Sequence, residues 1–584
     1  MACISDGSAA PILVEGLKRV EYRGYDSAGF ATVYRGRIRV RKDVGRVAEI
    51  EKSTEASSLQ GRIGMAHTRW ATHGAVTKEN AHPHTSCKER VAIVHNGIIQ
   101  NYLELKRGLV SRGHRFKSQT DSEVIAHLIE EEYEKSKDEV KATIEAAKLL
   151  RGQYAFVVLF QDKPGSLTAA RNDAPLLAGI SDRKKFFASD VLAFIEYTDR
   201  VVFLDNLEVG SLTDEGLRIF DLKGREVKRG VTQIAWELGD TSKREYAHHT
   251  LKEIHEQPTS VLSAMMQDED KIAAFAQALK KAKTIVLTAA GSSYHAALTM
   301  RNRLTREARI RCDAVLAGEF RHQSHLVDAD TAVVVVSQSG ETADVLEAVK
   351  LARRAGARVL AVVNAAGSSL ARESDLVLLL NCGPEIGVAA TKSFTAQVMV
   401  LSMVVDRLVG RSTVGDSKRV SAAVAAALKT EGDAREIAKK YADRYDFYFV
   451  ARGDHYPVAM EGALKLKELS YVHAEGMAAS ELKHGTLALI EKGTPVVIIN
   501  PRDETYDDTL SNAEELKARG AEIIGVSDVP HVVYDHFLRV PRASGSVTPI
   551  LEVIPLQFLA YHMATERKND PDYPRNLAKS VTVK

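Results

Sequence analysis

Residues 331–345 read TAVVVVSQSGETADV, an apolar run that ends in small polar residues and leads into an amphipathic helical pattern. The same alternation of strand and helix recurs around TIVLTAAG at 284–291 and ARVLAVVN at 357–364. Buried strands that alternate with amphipathic helices predict a parallel, doubly wound α/β sheet. Ligands bind such sheets at the carboxyl ends of the strands, so the polar residues after each run are candidate site residues.

A second series of the same kind begins with DFYFVARGD at 446–454 and continues through TPVVIIN at 494–500. Two α/β segments of similar size and order suggest an internal duplication. Residues from Pro11 to about Trp236 read instead as short strands with turn signals and a few helices. This pattern predicts an α+β domain of stacked sheets.

The change in composition between these segments sets the expected boundaries. Charged residues replace apolar periodicity in WELGDTSKREYAHHTLKEIHEQP at 236–258, which is typical of a linker. We therefore expect an α+β domain at 1–236, a linker at 237–260, and two α/β domains at 261–420 and 421–584.

The bulk composition argues against several classes of function. A formal net charge of +2 gives no reason to expect nucleic acid or an anionic membrane as a partner, and the apolar runs are far shorter than a membrane span. Four cysteines without CxxC spacing argue against a zinc site or a disulfide scaffold and favour a reducing compartment. Since the N-terminus carries no secretory signal pattern, we expect a cytoplasmic protein. From the spacing of the cysteines we expect no metal site.

Two polar loops are candidates for binding a phosphate. Hydroxyls and a glycine at the start of a helix can cradle an anion, although serines at such a place also serve as ordinary helix caps. Without a basic cluster, a Walker lysine or a GxGxxG pattern, a sugar phosphate fits these loops better than a nucleoside triphosphate. The candidate residues are Ser292, Ser293, Ser337, Gln338, Ser339 and Thr342.

The stretch EGALKLKELSYVHAEGMAASELKHG supplies candidates for proton transfer. Lys465 and Glu468 lie at i,i+3 on a helix, which allows either a surface ion pair or an acid–base pair in a pocket. His484 adds an imidazole, and sugar isomerisation uses a carboxylate, an amine and an imidazole. In the tail, Lys579 of PRNLAKSVTVK is either a solvated lysine or an amine that forms a Schiff base with a keto sugar.

The N-terminal segment has its densest polar stretches in MAHTRWATHG, VHNGIIQNY and SQTDSEV. Arg69 could hold a carboxylate, Asp121 could hold an α-amino group, and Asn96 with Gly97 could donate to an oxyanion. This set fits an amino acid amide undergoing acyl transfer. The neighbouring His67, His73 and His84 are interpreted as loop or core histidines.

With these residues in place, the chain closely resembles the glucosamine-6-phosphate synthase family, the isomerising glutamine–fructose-6-phosphate aminotransferases, from about Ala10 to Lys584. The resemblance implies a glutaminase domain of the N-terminal-nucleophile type followed by two sugar isomerase (SIS) domains. It rests on EGLKRVEYRGYDSAG, HTRWATHG, HPHT, HNGIIQNY, SQSGET, EIGVAATKSFT, EGALKLKE, ELKHG and PRNLAKSVTV.

The resemblance also implies roles for the candidate residues. Glutamine and its oxyanion would be held by Arg69, Asn96, Gly97 and Asp121, with Trp70 gating ammonia passage. The sugar phosphate would be held by Ser292, Ser293, Ser337, Gln338, Ser339 and Thr342. The reaction would use Glu468 as the base, Lys465 as its assisting amine, His484 for ring opening and Lys579 for the Schiff base.

The implied reaction converts fructose 6-phosphate and glutamine to glucosamine 6-phosphate and glutamate, with no metal or organic cofactor. Members of the family commonly take the histidine from a neighbouring subunit, so the resemblance also implies a homodimer. Two other functions remain open at this point, a sugar-phosphate-binding protein without catalysis and an amino-sugar deaminase.

The N-terminus departs from the family pattern. The family begins with M-C-G-I-V-G, and its cysteine becomes the nucleophile after methionine removal. Counting back from PILVEGL places that cysteine about three residues before Met1, so Cys3 falls on an ordinary strand position. We expect a natural start upstream of Met1; the alternatives are use of Cys3 after removal of Met1 and Ala2, or a lineage that uses free ammonia.

Overall fold

The computed structural model describes residues 1–70, 73–233, 242–411, 417–543 and 545–582. Contacts divide the chain into two compact units, one of Met1–Asp240 with Ser580–Lys584 and the other of Thr241–Lys579. None of the described helices is long and apolar enough to cross a membrane.

The first unit contains two antiparallel sheets stacked on each other. Its strands are β1 Ala2–Ser5, β2 Ser27–Tyr34, β3 Arg37–Val44, β4 Ile63–Arg69, β5 His84–Thr85, β6 Val91–Ile99, β7 Gly152–Phe160, β8 Ser166–Asn172, β9 Leu177–Ile180, β10 Lys184–Ala188, β11 Arg200–Phe203, β12 Glu208–Thr213, β13 Gly216–Asp221, β14 Glu226–Val227 and β15 Thr232–Gln233. The strand orders are β15-β11-β9-β10-β1-β4-β2-β3 and β14-β13-β12-β8-β7-β6-β5.

Helices cover the outer faces of this pair of sheets. They are α1 Ala9–Arg19, α2 Val47–Thr54, α3 Tyr102–Ser111, α4 Glu123–Ser136 and α5 Glu139–Leu149. One apolar cluster fills the space between the sheets, and another joins β6 and β7 to α4 and α5. The predicted stacked-sheet α+β domain is confirmed.

The second unit contains two parallel five-stranded sheets. The first consists of β16 Thr284–Ala289, β17 Asp313–Leu316, β18 Thr331–Ser337, β19 Arg358–Val363 and β20 Leu376–Leu379, and the second of β21 Asp446–Ala451, β22 His473–Ala478, β23 Pro495–Ile499, β24 Glu522–Ser527 and β25 His536–Arg539. Their orders, β17-β16-β18-β19-β20 and β22-β21-β23-β24-β25, follow the same pattern. This identity of topology supports the inferred duplication.

The helices of the second unit pack on both sheets and on one another. They are α6 His249–His255, α7 Gln257–Met265, α8 Glu269–Lys281, α9 Ser292–Arg306, α10 Phe320–Gln323, α11 Ala343–Arg354, α12 Ser369–Glu373, α13 Lys392–Leu408, α14 Ser417–Ala427, α15 Glu431–Lys440, α16 Tyr456–Ser470, α17 Tyr506–Ala518 and α18 Thr548–Glu566. A single apolar cluster contains residues of α9, α13, α16 and α18, so the two sheets share a core.

The expected linker at 237–260 needs correction. Residues 237–241 lie outside the described part of the chain, but most of the remainder forms α6 and the start of α7 within the second unit. The polar composition is misleading because several of its polar side chains, among them Thr250, Lys252 and Glu253, are buried. The backbone N–H groups of His249 and Thr250 also donate to the buried carboxylate of Asp572, at 2.9 and 2.8 Å.

Candidate active site

The two polar loops of the second unit lie at one edge of the first parallel sheet. Strands β16 and β18 are hydrogen-bonded neighbours and run parallel, so the loops that follow them emerge side by side. Ser292 and Ser293 open helix α9, and Thr342 is the N-cap of α11. The structure therefore brings the predicted phosphate-binding residues to the amino ends of two helices, where backbone N–H groups attract anions.

Hydroxyl groups shape the loop after β18. The Oγ atom of Ser337 accepts the N–H of Gly340 at 3.0 Å, and the Oγ atom of Ser339 accepts the N–H of Glu341 at 3.2 Å. Gly340 has a φ of +67°, and a Cβ atom there would lie 2.2 Å from Oγ of Ser368. Only glycine fits this position without displacing its neighbour.

Lys465 lies at the centre of a buried charged cluster. Its side chain is fully buried on α16, and its Nζ atom lies 2.5 Å from a carboxylate oxygen of Glu468 and 3.4 Å from one of Glu461. Nζ also donates to Oγ of Ser292 at 3.0 Å. The alternative of a surface ion pair is therefore wrong, because the amine connects α16 to the phosphate-type loop of the other sheet.

The charges of this cluster stabilise one another. Burial opposes the charge of Lys465, but the Glu461 and Glu468 carboxylates outweigh it and raise the pKa of the amine. Burial likewise opposes ionisation of Glu461, yet the charge of Lys465 and a 2.7 Å hydrogen bond with Nδ1 of His295 lower its pKa. Glu468 is the most exposed member of the trio formed with Lys465 and Glu461, with 22% of its side chain accessible. A carboxylate that is partly exposed and held beside a cation can exchange protons with a ligand.

The predicted His484 stands apart from this cluster. It is exposed at the end of the 3₁₀ segment Ala479–His484. Among the described residues, no hydrogen bond or ion pair connects it to Lys465 or Glu468. A role for His484 in the site of another subunit stays a prediction.

Lys579 is not a solvated tail residue. Only 4% of its side chain is exposed, and Nζ donates to the carboxylate of Glu385 and, at 2.8 Å, to the carbonyl of Gly387. Glu385 also accepts hydrogen bonds from the N–H groups of Thr391 and Ser393 at 2.9 and 3.0 Å. These contacts fix the amine in an enclosed position.

Glu385 is a candidate site residue that the sequence reasoning missed, although it opens the quoted stretch EIGVAATKSFT. Burial opposes its ionisation, but the charge of Lys579 and hydrogen bonds from Ser393 lower its pKa to about 2. A second buried carboxylate, Glu253, accepts the N–H groups of Ile386 and Gly387 at 2.5 and 3.2 Å. Burial and the charge of Glu385 raise the pKa of Glu253 to about 8.

The candidate residues of the first unit line one cavity of about 100 Å³, namely Arg69, Trp70, Asn96, Gly97 and Asp121. Gly97 has a φ of +126°, and a Cβ atom there would lie 2.1 Å from the carbonyl oxygen of Gln153. Oδ1 of Asn96 lies 2.9 Å from Nε2 of His67, and Asp121 accepts the N–H of Ile99 at 2.7 Å.

Two polar residues of this cavity, Arg69 and His67, have further structural roles. The guanidinium of Arg69 donates to the carbonyls of His73, Gly74 and Ala75 at 2.5, 3.1 and 3.3 Å, so it also supports the loop beside the cavity. Burial lowers the pKa of His67 to about 3, which agrees with its interpretation as a neutral core histidine.

Cys3 does not reach the cavity. It lies in β1, fully buried and paired with Gly64 and Phe186 on the neighbouring strands. Burial raises the pKa of its thiol to about 12, so the nucleophilic thiolate is strongly disfavoured. Met1 lines the cavity instead, and its amino group donates to the carbonyl of Ala66 at 2.8 Å.

The buried carboxylate Glu253 predicts a pH dependence of stability. Its pKa is about 8 in the folded chain against an ordinary value of 4.5, so the stability that its protonated form contributes is present below about pH 4.5 and is lost as the pH rises towards 8. Glu253→Gln removes this loss. From about pH 5 to 8, wild type should lose on the order of 2 kcal/mol relative to the variant, measured as a difference in thermal unfolding.

The pKa of Glu253 also depends on the charges of Glu385, Lys392 and Lys579. These three residues are the same in wild type and in Glu253→Gln. The exposed Glu475→Gln serves as the matched control and should follow wild type at every pH. Unfolding temperatures of wild type and Glu253→Gln that run parallel across this range would contradict the assignment.

Comparisons with known proteins agree with this architecture. The chain matches the SIS domain family over residues 278–407 and 440–567, and the glutamine amidotransferase domain family over residues 67–196. It is similar to the C-terminal domain of glucosamine-fructose-6-phosphate aminotransferase from Francisella tularensis, with 36% identity, a TM-score of 0.54, and coverage of 57% of this chain and 100% of that one.

Two full-length relatives are glutamine–fructose-6-phosphate aminotransferases (isomerizing). The Thermococcus kodakarensis protein is 45% identical over 594 residues, and the Pyrococcus horikoshii protein is 46% identical over 590 residues. In both cases the match covers 99% of this chain and 99% of the relative. Such identity over whole chains, together with both domain types in the expected order, shows that the chain belongs to the glutamine–fructose-6-phosphate aminotransferase (isomerizing) family.

Proposed function

We propose that the chain forms glucosamine 6-phosphate from fructose 6-phosphate and a nitrogen donor, with isomerisation of the sugar. The observation that carries this proposal is the buried Lys465, which joins Ser292 of a phosphate-type loop to the carboxylate of Glu468. A protein that only binds a sugar phosphate needs the loop, but it has no use for a partly exposed carboxylate held beside a buried cation. The names of the full-length relatives describe the same reaction.

The sugar phosphate would bind at the amino ends of α9 and α11. The residues that would contact it are Ser292, Ser293, Ser337, Gln338, Ser339 and Thr342. Hydroxyls and backbone N–H groups there offer hydrogen bonds to the phosphate oxygens. Because these two loops contain no lysine or arginine, phosphate binding would rest on hydrogen bonds and helix dipoles.

Glu468 would act as the base that moves a proton between the first two carbons of the sugar. Lys465 is a positioning residue in this scheme, since its ion pair with Glu468 keeps the carboxylate oriented. Its contact with Ser292 places the base at a fixed distance from the bound phosphate. A sugar whose phosphate is bound at this loop would therefore have its reacting carbon aligned with the carboxylate of Glu468.

Lys579 would form the covalent link to the sugar. Its neutral amine attacks the keto carbon, water leaves, and an imine results; ammonia then adds to the imine carbon and releases the lysine amine. Glu385 lies against Nζ and orients the amine, while the protons that the nitrogen loses go to the keto oxygen, which leaves as water. Burial of this pair keeps bulk water away from the imine.

The cavity of the first unit would bind glutamine. Asp121 would hold its α-amino group, Arg69 its carboxylate, and Asn96 with Gly97 the oxyanion of its amide. Trp70 lines the same cavity and would control ammonia passage. Since Cys3 is buried away from this cavity, we expect the 584-residue chain to use ammonium rather than glutamine.

We further propose a homodimer in which His484 opens the sugar ring in the partner's site. Support comes from its exposure and from its lack of a contact with Lys465 or Glu468 among the described residues of one chain. A reducing compartment, the cytoplasm, suits the four free cysteines.

The donor is tested by measuring glucosamine 6-phosphate formed from fructose 6-phosphate by the full chain, with ammonium and with glutamine in parallel. We expect product with ammonium and no glutamate release from glutamine. Lys579→Arg keeps the charge beside Glu385 but should lower product formation by roughly a thousandfold, because a guanidinium forms no imine.

Each contrary result points to a different part of the proposal. Product with glutamine that disappears in Cys3→Ser would show that Cys3 is the nucleophile. Absence of product with both donors, despite binding of fructose 6-phosphate, would favour a non-catalytic sugar-phosphate protein.

Sharing of His484 is tested by mixing two inactive variants, His484→Asn and Lys579→Arg, and allowing subunits to exchange. A mixed dimer then has one site with both residues intact, so random exchange should restore about a quarter of the wild-type rate with ammonium. If His484 acts within its own chain, every site keeps one defect and no activity returns. A mixture of His484→Asn with Glu468→Gln should be restored in the same way, which provides an independent pair.

A further inference from the structure

Four potential metal ligands converge in the first unit, away from the glutamine-type cavity. Cys87 lies in the turn between β5 and β6, His114 in the loop after α3, and His127 and Glu130 on consecutive turns of α4. One ligand atom from each lies within 4.8 Å of every other. None of the four lines the cavity that contains Asp121.

The distances between these atoms fit one central ion. The Sγ atom of Cys87 lies 3.5 Å from Nδ1 of His114 and 3.6 Å from Nδ1 of His127, and the two Nδ1 atoms are 3.2 Å apart. With Zn–S near 2.3 Å and Zn–N near 2.0–2.1 Å, a tetrahedral site has S···N separations of about 3.6 Å and N···N separations of about 3.4 Å. The sulfur and the two nitrogens thus already have the spacing of zinc ligands, and a carboxylate oxygen of Glu130 lies within 4.8 Å of all three.

Protons alone satisfy this arrangement poorly. The Nε2 atom of His114 lies 3.1 Å from a carboxylate oxygen of Glu131, so a proton on Nε2 leaves a lone pair on the inward Nδ1. The inward Nδ1 of His127 and the sulfur of Cys87 face the same point. A single proton can serve one of these three contacts, whereas a cation at the centre serves all of them.

Groups around the cluster contact the ligand residues on the side away from its centre, as groups around metal sites commonly do. A carboxylate oxygen of Glu131 lies 3.1 Å from the outward Nε2 of His114, a placement that orients histidine for a metal. A carboxylate oxygen of Glu123 lies 3.5 Å from the outward Nε2 of His127. The backbone N–H of Arg115 donates to the sulfur of Cys87 at 3.2 Å and fixes its position. Glu130 is held by hydrogen bonds from Oγ of Ser86 and the N–H of Lys88 at 2.6 and 3.2 Å.

We propose that Cys87, His114, His127 and Glu130 form a site for one zinc ion. A thiolate and two imidazoles favour zinc over magnesium or calcium, which prefer oxygen ligands. Four protein ligands leave no open position, so the ion is structural and ties the turn before β6 and the loop after α3 to helix α4. The proposal is independent of the reaction assigned to the second unit.

The test uses the full chain, freed of metal with a chelator, loaded with Zn²⁺ and passed through a desalting column. Elemental analysis should find about one zinc per chain in wild type and at least tenfold less in Cys87→Ser. Cys312→Ser is the matched control, since Cys312 is also a free thiol but lies outside the cluster, and it should retain zinc.

A second readout covers the case in which Cys87→Ser does not fold. His114→Gln changes a half-buried loop residue, and its far-ultraviolet circular dichroism is compared with that of wild type. Zn²⁺ should raise the unfolding temperature of metal-free wild type and leave that of His114→Gln unchanged. Co²⁺ in place of Zn²⁺ should give wild type the visible bands of tetrahedral cobalt and a thiolate charge-transfer band, both lost in Cys87→Ser.

The opposite results would overturn the proposal. These are a wild-type chain that holds no zinc after loading, or zinc that is retained equally by wild type, Cys87→Ser and His114→Gln. In the first case the cluster is a hydrogen-bonded network of thiol and imidazoles only, and in the second the ion binds elsewhere on the chain.

Discussion

The buried amine of Lys465 is the contact on which the organisation of the second unit depends. A fully buried cation is tolerated only where anionic and polar partners surround it, and here they are Glu461, Glu468 and a hydroxyl from the other sheet's loop, Ser292. Helix α16 and the start of α9 must therefore stay together. The hydrogen bond between His295 and Glu461 adds a second polar link between the same two helices. Duplication of the α/β domain thus supplies a loop from one copy and a carboxylate helix from the other.

The tail lysine is held by the same physical principle. Lys579 has little exposed surface, and Glu385 together with the carbonyl of Gly387 compensates for its burial. Glu385 is in turn fixed by the N–H groups at the start of α13, so the amine position is set by a helix amino end. A nearby protonated carboxylate, Glu253, keeps the total charge of this enclosed region small. The arrangement prepares an amine for carbonyl chemistry while water is largely excluded.

Much of the fold follows from the sequence, because strand and helix periodicity is strong in TAVVVVSQSGETADV and its counterparts. The position of Ser337 and Thr342 at a strand end follows from the same pattern. Burial of polar residues does not follow from the sequence. The stretch around His249 and Thr250 has the composition of a linker but packs as helices. Nor does the sequence distinguish a surface pair from the buried Lys465, since i,i+3 spacing is the same in both. The cluster around Cys87 escapes sequence reasoning because its ligands come from three separate segments with no regular spacing.

Reaction of the buried tail amine with the keto sugar is the step on which the proposed chemistry depends. It is tested most directly by adding sodium borohydride to the full chain with fructose 6-phosphate and locating the reduced adduct by peptide mass spectrometry. We expect one hexose phosphate per chain, attached to Lys579, with Lys465 unmodified because Glu461 and Glu468 raise the pKa of its amine. A reduced adduct on Lys465, or active enzyme that gives no borohydride-dependent adduct at all, would contradict it.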